Sequence, residues 1–106
     1  MIPNHPQFIE AINEKRKVRL RYYSQADSGG LDRVCAPMDY GPGAGFADGL
    51  NRYWLWDYAG MPKGRSLGLL PPEILDLHVL GEVFDPAGFG VRPWPWAVQR
   101  DWGTWS

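Results

Sequence analysis

The chain has 106 residues, enough for one domain with a modest core and too few for two. A composition of 44% hydrophobic, 14% aromatic and 22% charged residues is that of a folded globular domain and excludes a disordered tail. The formal net charge of -1 offers no bulk argument for a nucleic-acid or membrane partner, although Lys15, Arg16, Lys17, Arg19 and Arg21 crowd one segment and Glu73, Asp76, Glu82 and Asp85 another.

Asn4 followed by Gln7 has the spacing of a capping box, and Pro6 fits an early helical position. Phe8, Ile9, Ala11 and Ile12 then predict a short helix over about residues 5–15, which needs a surface to pack on. From Lys17 the period changes to two. Val18, Leu20 and Tyr22 alternate with Arg19, Arg21 and Tyr23, the mark of a half-buried strand that ends at the turn "QADSGG". A second strand is expected from about Leu31 to Met38, with Pro37 marking an edge or a strand end. The glycines of "DYGPGAGFADG" (Gly41, Gly43, Gly45, Gly49) predict a mobile loop. A third strand covers about 51–59, and the turn "GMPKG" leads to a fourth at about 65–70. Beyond Pro71-Pro72, "EILDLHVL" alternates as a fifth.

One helix and five short strands with hairpin-sized connections predict a mainly β domain, a small and strongly bent sheet or barrel, over residues 1–86. Residues 87–106 are rich in Trp and Pro and have no period. With Trp94, Trp96, Trp102 and Trp105, this tail is expected to dock on the barrel or on a partner subunit, since large apolar patches are seldom left bare.

The stretch "RYWLWDYAG" packs four aromatic rings into six residues. Alternation puts Trp54, Trp56 and Tyr58 on one face and Tyr53, Leu55 and Asp57 on the other. The first set is expected to fill the core beside Val18, Leu20, Tyr22, Leu67, Leu69 and Leu77, with Ile9 and Ile12 packed on it. Asp57 then marks the second face as wet and leaves Tyr53 accessible. On this reading Trp56→Ala costs about 3–5 kcal/mol.

Cys35 is the only cysteine, which excludes an internal disulfide, and with no secretory leader in view it favours a cytoplasmic location. No apolar run reaches the roughly 18–20 residues that span a bilayer, so no membrane partner is expected. His5, His78 and Cys35 lack metal-ligand spacing, the serines lack a nucleophile setting, and the glycine-rich loop lacks the phosphate-loop pattern. A carboxylate pair such as Asp32 and Asp57 carries almost no information among twelve acidic residues. Neither an enzyme nor a cofactor is indicated.

The arginines are more informative. Arg19, Arg21, Arg33, Arg52 and Arg65 all begin or line strands, and one shared face would suit phosphate pairing, with Tyr53 as a stacking platform. The bland alternative is that each is solvated or paired with a neighbouring Asp.

The runs "FIEAINEKRKVRLRY", "RVCAP", "YWL", "RSLGLL" and "VF" before "DP", in this order over about residues 8 to 86, resemble the WYL domain family. The resemblance implies an Sm-like five-stranded barrel preceded by a helix, found in bacterial and phage regulators of transcription, CRISPR and other defence systems. It also implies that the domain senses a ligand, in several members nucleic acid or a nucleotide. Tyr22, Arg33, Pro37, Leu55 and Arg65 fall on family-like positions. Tyr53-Trp54 inverts the two rings of the family triplet. Gly68 and Glu73 stand where further arginines are usual, and no helix-turn-helix precedes the barrel. The expected function is a stand-alone regulatory module that binds a nucleotide or single-stranded nucleic acid and modulates a partner regulator or effector, with a homodimer as one form of assembly. The alternative is a ligand-free interaction or oligomerisation module.

Overall fold

The computed structural model describes residues 1–24, 29–42, 48–59, 64–89 and 96–103. The centre of the glycine-rich loop, most of the two hairpin turns, Trp94 and Trp105 lie outside these residues. Pro6 sits in the first turn of α1 (His5–Glu14), where its missing N–H is no loss. The helix buries Phe8, Ala11 and Ile12, the spacing anticipated for one apolar face. The expected capping box does not form. Asn4 makes no side-chain cap, and its amide instead donates to the carbonyl of Leu77, tying the helix start to the sheet. Lys15 ends the helix in the left-handed region (φ 57°), its N–H reaching back to the carbonyls of Ala11 and Ile12.

The sheet holds five antiparallel strands: β1 (Arg16–Ser24), β2 (Gly29–Gly41), β3 (Arg52–Asp57), β4 (Arg65–Leu69) and β5 (Ile74–Val83). Their order is β4-β3-β2-β1-β5. The fold is therefore mainly β with one N-terminal helix, as the periodicity predicts. Successive hairpins build β1 to β4, and the chain then crosses through a 3-10 turn, Pro71–Glu73, to lay β5 beside β1. Glu73 holds that turn, its Oε1 accepting the Leu70 N–H at 2.8 Å.

Pro37 does not end β2, which continues to Gly41, into what the glycines suggested was loop. It does stand at a local edge: it is buried and faces Leu55 of β3, but the pairing of β2 with β1 ends at Cys35. A residue without an N–H is tolerated there, beside the register shift between Pro37 and Asp39.

Val18, Leu20, Tyr22, Leu55, Leu69 and Leu77 form the sheet's contribution to the core under α1. The C-terminal segment adds a second patch. Trp102 is buried, its indole N–H donating to the Ile12 carbonyl at 2.8 Å and its ring meeting Phe84 edge-on at 5.5 Å. The guanidinium of Arg100 faces the rings of both Trp96 (4.1 Å) and Trp102 (4.5 Å), donating to Asp39 at 2.9 Å and to the carbonyls of Val98 and Met38. Asp39 also accepts the backbone N–H groups of Ala97 and Val98, both at 2.8 Å. Among the described residues no helix is long and apolar enough to cross a membrane.

Candidate functional site

The two faces of β3 are the reverse of those expected from its rings. Tyr53 and Leu55 are fully buried and Asp57 is 2% exposed, whereas Trp54 and Trp56 are half-buried and Tyr58 is exposed. Register explains it. Leu55 pairs with Pro37 and Leu67, and Tyr53 with Tyr40 and Leu69, so this set lies on the core side beneath α1. Trp54 lies instead against its cross-strand partner Gly68, where an added Cβ would stand 2.5 Å from its ring. Trp56 lies against Gly64 in the same way, at 2.8 Å. Gly68 is thus the seat of a tryptophan.

Tyr53 is no stacking platform. Phe8, His5 and Tyr40 surround its ring at centroid distances of 5.0, 5.6 and 4.6 Å. Its hydroxyl accepts the Ile2 N–H at 3.1 Å and meets His5 Nδ1 at 2.8 Å. Burial, with the N-terminal ammonium adding to it, pulls the His5 imidazole below its ordinary value of 6.5. Below that value the unfolded chain takes up more protons than the folded one, so stability is present above it and is lost as pH falls through the lowered native value. Melting temperature should therefore drop between pH 7.5 and about 5.5, and His5→Gln should flatten that slope. An unchanged slope in the variant would remove His5 from the account.

The arginines fall into three places. Arg52 is buried and bound at two points to Asp48 (3.0 and 2.9 Å), whose carboxyl it holds down at about 2, so it belongs to a local clamp and not to a shared anion site. Arg19 and Arg21 point from the exposed face of β1. Arg33 and Arg65 lie on the opposite, core-bearing face: Arg33 pairs with Leu20, and Arg65 with Asp57. The pleat separates the last two groups, so no single surface collects all five.

At the rim of the core-bearing face, Tyr22 near the end of β1 is diagonal to Arg33 in β2, and Asp57, the last residue of β3, pairs with Arg65, the first of β4. Arg33 Nε stands 3.7 Å from Asp57 Oδ2 and its Nη1 donates to the Asp32 carbonyl at 3.1 Å. Asp57 also accepts the Ala59 N–H at 3.0 Å. Among the described residues two buried atoms here make no hydrogen bond: the Tyr22 hydroxyl and Arg33 Nε, whose nearest carboxylate, Asp57, lies beyond hydrogen-bond distance. Such atoms are rare, and each costs about 1–3 kcal/mol when left unmade. The rim therefore sets two guanidinium groups and a phenol around one buried carboxylate, Asp57, and these donors outnumber what that carboxylate accepts, which fits a ligand with acceptor oxygens.

Tyr22 and Asp57 belong to this rim although charge patterning did not single them out. An aspartate within a run of rings was the available signal, since it needs a charged partner if buried. Cys35 lies next to Asp57 in the register but is no nucleophile, because burial and the neighbouring carboxylate push its thiol up to about 12. Among the described residues no group of three or more His, Cys, Asp or Glu side chains converges as a metal site would require.

No protein-family model matches the sequence, and no curated protein sequence matches it. In structure the chain is similar to proteasome accessory factor B/C (PafBC) of Arthrobacter aurescens, with a TM-score of 0.61 at 18% identity over 92% of this chain. It spans 15% of the PafBC chain, so what the two share is a fold, between this domain and a segment of a longer protein.

Proposed function

We propose that this domain is a WYL-like regulatory module that senses a small anionic ligand, a nucleotide before a nucleic-acid strand, and modulates a partner protein. The observation that carries the reading is a pair of buried rim atoms, Tyr22 Oη and Arg33 Nε, that make no hydrogen bond among the described residues; Arg65 reaches the same rim through Asp57, its register partner and the ion-pair partner of Arg33. A phosphate supplies acceptors at hydrogen-bond distance to both atoms, taking Arg33 over from its long ion pair with Asp57, and arginine forks match its oxygens. The likeness in fold to a segment of PafBC, a proteasome accessory factor, supports an accessory role for the domain beside a larger partner. A nucleotide is favoured over a strand because the arginines are divided between two faces and a clamp, leaving no continuous basic track.

Anisotropy with a panel of labelled nucleotides and short single-stranded oligonucleotides, at low salt, tests this. Saturable binding is expected for a nucleotide, and Arg33→Ala with Arg65→Ala should weaken it at least tenfold. If an oligonucleotide binds instead, the log–log salt slope should be about -0.7 per phosphate contacted and should flatten in the double variant. No saturable signal from the folded protein, or binding indifferent to both substitutions, would leave the ligand-free interaction module as the better reading.

A further inference from the structure

The exposed face of the same strands carries a second constellation, independent of the rim. The register sets two rows across three strands: Asp32, Arg21 and Asp76 in one, and Val34, Arg19 and His78 in the next. Arg19, Arg21, Asp32, Asp76 and His78 line a depression of about 280 Å³. Each arginine has a carboxylate or imidazole as cross-strand neighbour, yet neither forms an ion pair within 4.0 Å among the described residues. Asp76 is turned toward its own strand: its Oδ1 accepts the N–H of Leu77 at 2.9 Å and its Oδ2 meets His78 Nε2 at 2.9 Å. Arg21 lies over bare backbone: a Cβ added at Gly30 would stand 3.0 Å from its Nε and 3.3 Å from Leu75 Cδ1.

We propose that this depression is a binding site for a small phosphorylated polyol of the sugar-phosphate class. Two guanidinium groups two residues apart on a strand are separated by about 7 Å at the backbone, and together they present more donors than one carboxylate can accept. A phosphate, with three terminal oxygens, takes a fork from each. Asp32 makes no side-chain hydrogen bond or ion pair among the described residues, and stands one strand away as an acceptor for a ligand hydroxyl. The volume lies at the small end of ligand pockets, which run from about 300 to 1,000 Å³, and so matches a ligand smaller than a dinucleotide. The site sits back to back with the rim, across the thickness of β1 and β2, and does not depend on the rim's function.

The test is a titration followed by amide chemical shifts in NMR spectra, at low ionic strength, with inorganic phosphate and ribose 5-phosphate as the two probes. Saturable shifts are expected at Arg19, Arg21, Asp32, Asp76 and His78 with both, and at least tenfold weaker binding with Arg19→Ala and Arg21→Ala together. Gly30→Ala, which keeps both charges but crowds the Arg21 guanidinium, should weaken binding several-fold. Asp32→Asn should weaken ribose 5-phosphate alone, leaving inorganic phosphate unchanged or tighter. The Arg33→Ala, Arg65→Ala variant should bind both probes as the wild type does. Shifts at the depression that are absent in the folded protein or that survive loss of Arg19 and Arg21, or shifts confined to Tyr22, Arg33 and Arg65, would overturn the proposal.

Discussion

Tyr53→Ala is expected to lower the unfolding free energy by about 3–5 kcal/mol, the range for removing a fully buried large ring. The ring has no exposed surface and three aromatic neighbours, so its loss leaves a cavity that α1 cannot easily fill. The hydroxyl adds to the cost, since the Ile2 N–H and His5 Nδ1 would both lose their partner. Tyr53→Phe isolates that part and should cost about 1–3 kcal/mol. Trp56→Ala should cost less than Tyr53→Ala, below about 2 kcal/mol, because the indole is half-buried on the outer side of β3. Urea melts of the three variants give the order directly. A larger loss for Trp56 than for Tyr53 would restore the face assignment drawn from the rings alone.

Asp39→Ala should be comparably severe, about 3–5 kcal/mol, for an electrostatic reason. The Arg100 side chain is 1% exposed and Asp39 13%, and burial already pulls the Arg100 guanidinium down to about 10. Without the carboxylate a buried cation remains against two indole rings, and the N–H groups of Ala97 and Val98 lose their acceptor. Arg100→Met should cost less, because an apolar side chain of similar length can occupy the slot without charge. The double variant should then cost much less than the sum of the two, the signature of a coupled pair. Additive losses in denaturant melts would mean that the C-terminal segment is held by its tryptophans alone.

The strands could be read from the chain because alternation is a direct image of the pleat. Val18, Leu20 and Tyr22 are buried and Arg19, Arg21 and Tyr23 exposed, as the period of two requires. Alternation does not say which side of β3 faces the core. Ring size suggested the tryptophans, but that choice depends on where α1 lies and on Gly64 and Gly68, which give the indoles seats on the other side. Pro37 is a sound sign of a local edge, since β2 is paired there with β3 alone, but it gives no sign that the strand runs on to Gly41. For the site, residue type pointed to the arginines, while their grouping depended on register and on carboxylates remote in sequence. Arg33 meets Asp57, and Arg52 is taken by Asp48. Tyr22 could be read as core, but the missing partner of its hydroxyl appears only in three dimensions.

The melting temperature of Tyr22→Phe against wild type, with and without a saturating nucleotide identified from the panel, tests the rim most directly. A buried hydroxyl with no partner destabilises the empty protein, so the variant without ligand should melt at or above the wild type. Ligand stabilisation grows as RT ln(1 + [L]/Kd), so a variant lacking one phosphate contact should gain visibly less from the same nucleotide concentration. Higher intrinsic stability together with a smaller ligand shift is the predicted result. A variant that melts lower when empty, or gains as much from the nucleotide as the wild type, would contradict a ligand role for this rim.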